Sequence, residues 1–261
     1  MSPVQDLVLK MSVYAVSDLH GQYKTFVKGL KEIDFSDSDT LYVIGDAIDR
    51  GPDGIKILQY IKDHENMDLI IGNHEFMMLN SVPSDGSSGC DGVDADIWLF
   101  FNGGTTSYGK YGNLSNKKRK ELIDWLGSRQ VIKTLEVNGN RICLTHSFYT
   151  PACENRRYNE LTYETVSNIV WDSIYRDGDD THAEDIYDRY DYTFVTGHVP
   201  VQKIYLFFEG DDDYNKLKMH RHGNLLCIDG GCAMGYNKEL NNGAIFLRLD
   251  DLKEYPVPLV L

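Results

Sequence analysis

The stretch Leu41 to Pro52, LYVIGDAIDRGP, constrains this chain more than any other. Leu41, Tyr42, Val43 and Ile44 form an apolar run of the length of one buried strand. Gly45-Asp46 and then Asp49-Arg50-Gly51 follow at its carboxyl end. One strand tip therefore carries two carboxylates and a guanidinium. Carboxylate oxygens hold hard cations and an arginine fork holds phosphate oxygens, so the combination suits a phosphate beside a metal. The same residues also compose an ordinary solvated turn with a surface ion pair, and the rest of the chain decides between the two.

The order strand, polar turn, helix occurs three times. Val13 to Val16 reads as a strand running into Ser17-Asp18-Leu19-His20-Gly21, where Asp-x-His places a carboxylate and an imidazole on one side of an extended backbone. Phe26, Leu30 and Ile33 then recur at helical spacing and predict a helix over 22–33. After Leu41 to Pro52, Ile55, Leu58 and Ile61 predict a second helix over 54–64. Met67 to Ile71 reads as a third strand and ends in Gly72-Asn73-His74-Glu75, in which Asn73 is either a metal-binding carbonyl or a helix N-cap, or both.

The second half changes pattern. Residues 81–94, with Pro83, Gly86, Gly89 and Gly92, read as a loop, and 115–128 as a helix with Lys117, Lys118, Arg119 and Lys120 on a solvated face. Val131 to Val137 and Arg141 to Thr145 form a hairpin across Asn138-Gly139-Asn140, and its second strand delivers His146. Phe194-Val195-Thr196 delivers His198 in the same way. Further strands are expected near 216–220, 225–228 and 244–249, with Asp229-Gly230-Gly231 closing one of them. Alternating strand and helix followed by mostly strands predicts an α/β fold of two packed mixed sheets flanked by helices.

Charge and cysteines narrow the function. A net charge of -14 repels phosphate backbones and anionic membranes, so no nucleic-acid or membrane partner is expected, and a phosphate substrate needs local cations. The five cysteines are odd in number and scattered, which fits a reducing cytoplasm. No signal peptide or membrane span is legible in the sequence.

Asp18, His20, Asp46, Asn73, His146 and His198 all follow short apolar strands, and ligands collect at the carboxyl ends of strands in α/β sheets. Six oxygen and nitrogen donors can hold two cations. With no thiolate among them, manganese is the first expectation, with iron or zinc as the other candidates.

With these motifs in hand, the chain resembles the phosphoprotein phosphatase family, in its bacterial and bacteriophage-like branch within the calcineurin-like metallophosphoesterases. The resemblance rests on Ser17-Asp18-Leu19-His20-Gly21, Gly45-Asp46-Ala47-Ile48-Asp49-Arg50-Gly51 and Gly72-Asn73-His74-Glu75, followed by the two strand-end histidines. It implies a four-layer α/β/β/α arrangement and a single catalytic domain over 11–261, with residues 1–10 an extension and Met11 an alternative start. By the same resemblance, Asp18 and His20 hold the first metal, Asp46 bridges, and Asn73, His146 and His198 hold the second. His74 protonates the departing alkoxide, Asp49 orients its ring and favours its charged form, and Arg50 clamps the phosphate, with Asn73 beside it. Attack is by a hydroxide held between the two metals, with no phosphoenzyme.

Two departures from the family pattern lie in loops: Ser17 stands where glycine is usual, and Ser147-Phe148 follow His146. A third concerns a second phosphate-binding arginine, which in phage-like members follows a tryptophan by two positions. Ser173 occupies that position after Trp171, and Arg176, one helical turn further, is the candidate in its place.

The resulting expectation is a serine/threonine protein phosphatase acting on a phosphoprotein or a small phosphoester. A dinucleoside polyphosphate hydrolase is the alternative, and an inactive binding protein on the same fold ranks below both because His74, Asp49 and Arg50 are intact. A nuclease is disfavoured because Val199-Pro200 follow His198 in place of a second histidine. The oligomeric state is not legible.

Overall fold

The computed structural model describes residues 11–175 and 187–261. β1 (Val13–Val16), β2 (Thr40–Ile44) and β3 (Met67–Ile70) run parallel. Beside β1 lie β9 (Gly243–Arg248) and then β10 (Lys253–Pro258), both antiparallel pairings, giving the sheet order β10-β9-β1-β2-β3. The second sheet has β4 (Ile132–Val137), β5 (Asn140–Thr145), β6 (Thr193–Thr196), β7 (His220–His222) and β8 (Leu225–Cys227) in the order β4-β5-β6-β8-β7. Within it β5, β6 and β8 are parallel, so their carboxyl ends share one edge. The two mixed sheets flanked by helices are the expected class.

Burial explains the layering. Val16, Val43, Ile44, Leu69 and Ile70 in one sheet and Leu144, Val195 and Leu226 in the other are all inaccessible to solvent. Such near-continuous apolar strands are stable only where both faces of a sheet are covered. The cover on the first sheet includes α1 (Tyr23–Glu32), whose Phe26 stacks on Phe246 of β9 with ring centroids 6.4 Å apart, and α2 (Gly54–Lys62), which buries Ile55, Leu58 and Ile61. α3 (Asn73–Leu79) follows β3.

A π-helix at Ile97–Phe101, α4 (Thr105–Gly112) and α5 (Asn116–Gly127) lead into the hairpin, whose turn residues Asn138 and Gly139 both take positive φ. α6 (Tyr163–Trp171) packs against α3, and α7 (Val201–Phe207) lies beside β7 of the second sheet. Among the described residues, no helix is long and apolar enough to cross a membrane.

Three local expectations fail. Arg119 does not belong to the solvated lysine face of α5: it is 4% exposed and donates to the carbonyls of Gly86, Gly112 and Leu114 and to Ser88 and Asn116. A guanidinium with five donors in a rigid fork can pin a loop rich in free carbonyls, which a charge count along the helix does not show. No strand forms at 216–219; β7 starts at His220, and the backbone N–H of Met219 is spent on the Glu254 carboxylate. α6 stops at Trp171, so the helical continuation proposed to carry Arg176 does not reach Ser173, and Arg176 itself lies outside the described residues.

Candidate metal and phosphate site

Each sheet edge brings its turns to one place. From the first sheet come Asp18 after β1, Asp46 after β2 and Asn73 after β3; from the second come His146 after β5, His198 after β6 and Asp229 after β8. Close backbone approach is what permits this. A Cβ on Gly45 would sit 2.5 Å from the Gly72 Cα and 2.6 Å from the His146 ring, so glycine is required where the two sheets meet.

The turns are not extended. Asp18, His20, Asp46, Asp49, Arg50 and His198 all adopt positive φ, between 41° and 71°, a region that non-glycine residues enter at a cost of about 1 to 3 kcal/mol each. Asp18 and His20 therefore share a side because of a left-handed turn and not through strand alternation. Hydrogen bonds hold these turns: His20 N–H donates to Asp46 O, Gly51 N–H to His20 O, and Arg50 N–H to Gly103 O. The buried Glu75 carboxylate accepts from the backbone N–H groups of Asp46 (2.8 Å), Ala47 (2.9 Å) and Gly72 (3.2 Å), latching the second motif to the third. Gly72 is thus the residue capping α3, and Asn73, expected as a cap, is its first helical residue.

Asp46 faces two groups of donors at once. Its Oδ2 lies 3.6 Å from His20 Nε2 and 3.7 Å from His74 Nε2, and its Oδ1 lies 3.5 Å from His146 Nε2. On the second side, Asn73 Oδ1 is 2.9 Å from His146 Nε2 and 3.0 Å from His198 Nδ1, with the two ring nitrogens 3.2 Å apart. Two ligands each about 2 Å from one cation lie about 3 to 4 Å apart, so both groups have the spacing of shared coordination.

The donor chemistry also fits cations. His20 Nδ1 meets the carbonyl of Ile48 at 3.1 Å and His146 Nδ1 that of Ile44 at 3.0 Å, which places their protons there and turns the Nε2 lone pairs inward. Asp18 Oδ1 is buried without a hydrogen-bond partner, while its Oδ2 accepts from His198 N–H at 3.0 Å. Donor atoms of this kind converging at this spacing are a set that could hold a metal ion.

Protonation tendencies agree. Burial, then the charges of Asp229 and Asp46, push Asp18 well above the usual carboxylate range; burial, then Glu75, do the same to Asp46. Burial, with neighbouring His198, lowers His146 to about 3, and burial, then His74 and Lys203, lowers His198 to about 4. Neutral imidazoles and carboxylates short of a counter-ion are what two divalent cations would satisfy.

Beside this cluster, His74 Nδ1 donates to Asp49 Oδ2 at 2.7 Å, and Trp98 Nε1 donates to the same oxygen at 2.7 Å. Ser107 Oγ accepts the Asp49 backbone N–H. Asp49 meets the ring where its orienting role was expected. Burial, followed by Arg50 and His146, lowers the His74 pKa well below the imidazole range, while burial raises Asp49 to about 7 and so strengthens its own hold on a proton. Arg50 is exposed at the rim, where it lines a cleft with His20, Asp46, Asn73, His74 and His198. All ten expected residues except Arg176 are therefore placed in one cluster.

A model of the calcineurin-like phosphoesterase family matches residues 11–231. The chain belongs to that family. Among curated proteins, this phosphoesterase is 32% identical over 143 residues to the symmetrical bis(5'-nucleosyl)-tetraphosphatase of Buchnera aphidicola subsp. Schizaphis graminum, covering 54% of this chain and 46% of that one. Its identity to the enzyme of that name from Nitrosospira multiformis is 31% over 144 residues, covering 54% and 45%. It thus spans about half the length of the curated relatives it matches. A solved protein serine/threonine phosphatase from Saccharomyces cerevisiae shares the fold, with a TM-score of 0.55 and 14% identity over 98% of this chain and 82% of that one.

Four residues that matter here carried no functional role in the sequence reading. Glu75 and Asp229 stood inside quoted motifs but were given none; the capping pattern around Asn73 was the signal for Glu75. Trp98 and Ser107 meet Asp49 from 49 and 58 residues away, and no local pattern announces them.

Proposed function

We propose that this phosphoesterase hydrolyses a dinucleoside polyphosphate, using two divalent cations, manganese first, with iron or zinc as the other candidates. The observation that carries the reading is the identity of 31 to 32% to proteins named symmetrical bis(5'-nucleosyl)-tetraphosphatases. It moves the alternative of the sequence analysis ahead of phosphoserine or phosphothreonine in a protein, for which the support is a likeness of fold.

Asp18 and His20 on one side, and Asn73, His146 and His198 on the other, with Asp46 between, are the residues that would hold the cations. When bound, such a pair neutralises charge on a phosphoryl group and lowers the pKa of water. The protein's own groups do the rest. Arg50 forks onto the oxygens of the phosphate under attack. Asp49, fixed by Trp98, accepts the hydrogen bond of His74 Nδ1–H, so Nε2 is the ring atom that, when it carries a second proton, would give that proton to the departing oxygen. One water is consumed, one P–O–P bridge breaks, and the departing nucleotide oxygen keeps the bonding electrons. The six left-handed residues keep these groups aimed before substrate arrives.

The test is product analysis with full-length protein and manganese, on diadenosine tetraphosphate, a phosphoserine peptide and an aryl phosphate. The expected result is ADP as the nucleotide product, with kcat/KM at least about tenfold above that for the peptide. Faster turnover of the peptide would return the first place to a protein phosphatase. No turnover of any substrate would leave a binding protein.

A further inference from the structure

The cleft that holds Arg50 has a second cation. Lys203 lines it from α7, and among the described lining residues these two are the only lysine or arginine. We propose that Lys203 is a second phosphate-binding residue, taking the phosphate next to the one that Arg50 holds and so favouring substrates with at least two linked phosphates. The inference rests on the reading of this cleft as a phosphate site, and it deepens that reading by naming where the polyphosphate runs.

Local structure fixes the lysine. α7 begins after Pro200, its first N–H is donated to Asp229 O at 2.9 Å, and Val201 and Ile204 are fully buried. Gln202, also buried, donates to the carbonyls of Gly230 and Asn241. Lys203 alone among these four is exposed. An anchored backbone thus presents one flexible ammonium at the cleft.

That ammonium is uncommitted. Among the described residues neither Lys203 nor Arg50 forms an ion pair, although the chain carries an excess of acid and exposed lysines elsewhere, such as Lys117 and Lys120, are paired with carboxylates. The two cations act on the same ground. Asp229 is raised to about 7 by burial, against the N–H donated by Gly231 and then the charges of Arg50 and Lys203.

The position expected to carry a second phosphate-binding arginine is Ser173, beyond the end of α6. A lysine binds phosphate as a point charge, without the planar fork of arginine, which suits the less constrained neighbour of the reacting phosphate. In a protein of charge -14, each added substrate phosphate gains from a local cation.

The experiment compares AMP with ADP as competitive inhibitors of aryl phosphate hydrolysis, at saturating manganese, in wild type, Lys203→Ala and Lys203→Arg. AMP offers one phosphate and ADP two. The expected result for Lys203→Ala is an ADP inhibition constant about tenfold higher, an AMP constant within about threefold of wild type, and recovery of most of the ADP effect in Lys203→Arg. Equal shifts for AMP and ADP, or no shift for either, would overturn the proposal. Because the assay substrate is an aryl phosphate, the result stands whether or not diadenosine tetraphosphate is cleaved. Thermal unfolding of each variant separates loss of the charge from loss of α7, since only the latter lowers the midpoint by more than a few degrees.

Discussion

The two halves of the site are built by different means. The first sheet supplies its groups in short motifs, Asp18 with His20, Asp46 with Asp49 and Arg50, and Asn73 with His74. The second supplies single residues, with His146 and His198 lying 52 residues apart. Five of the six left-handed non-glycine residues of the site belong to the first half, and only His198 to the second. Backbone strain is thus concentrated where the proton and phosphate chemistry is expected, and the hydrogen-bonded latch around Glu75 restrains it. The second half contributes imidazole nitrogens from strand ends, of which only His198 is left-handed, and a buried acid, Asp229, whose Oδ1 accepts one backbone N–H.

If the halves differ in this way, substitutions should separate by kind. His74→Asn, in the first half, is expected to lower kcat about 10³-fold with little change in melting temperature, because a positioned proton-transfer group is lost while the fold keeps a polar side chain there. A loss below tenfold would remove His74 from the chemistry and break the contrast. Trp98→Phe should act in the same direction but less, about tenfold in kcat with KM unchanged, because Asp49 loses one of its donors and the His74 ring loses definition. Steady-state kinetics of the pair in parallel checks both.

Asp229→Asn sharpens the other side of the comparison. The Asp229 carboxyl moves from about 3.8 in the unfolded chain to about 7 in the fold, so its contribution to stability is fully present below about pH 4 and is lost as pH rises through 7. In metal-free protein the asparagine variant should therefore melt above wild type at pH 8 and gain nothing at pH 4. His146 and His198, depressed in the fold, contribute with the opposite sign, present above about 6.5 and lost on acidification, but equally in both proteins. Melting curves from pH 4 to 8 in chelator decide it, and a variant less stable than wild type at pH 8 would refute the sign.

The same division marks what the sequence reveals. The first half was legible because each motif fits in a few residues at a strand end, and the order strand, turn, helix repeated. His146 and His198 were found by the same strand-end reasoning, helped by Asn138-Gly139 in the hairpin. What escaped is what tertiary packing decides: the loop contacts of Arg119, the Trp98 bond to Asp49, and the approach of α7 that carries Lys203 to Arg50's cleft. Burial is a property of the assembled sheets, and no window of sequence contains it.

Asp46 is the residue on which both halves depend, since each of its oxygens faces a different donor group. Manganese bound per chain, measured after equilibrium dialysis of wild type, His198→Ala and Asp46→Ala, tests this most directly. The values expected are two, one and fewer than one. Two ions retained by Asp46→Ala, or a single ion in wild type, would contradict a shared centre spanning the two sheets.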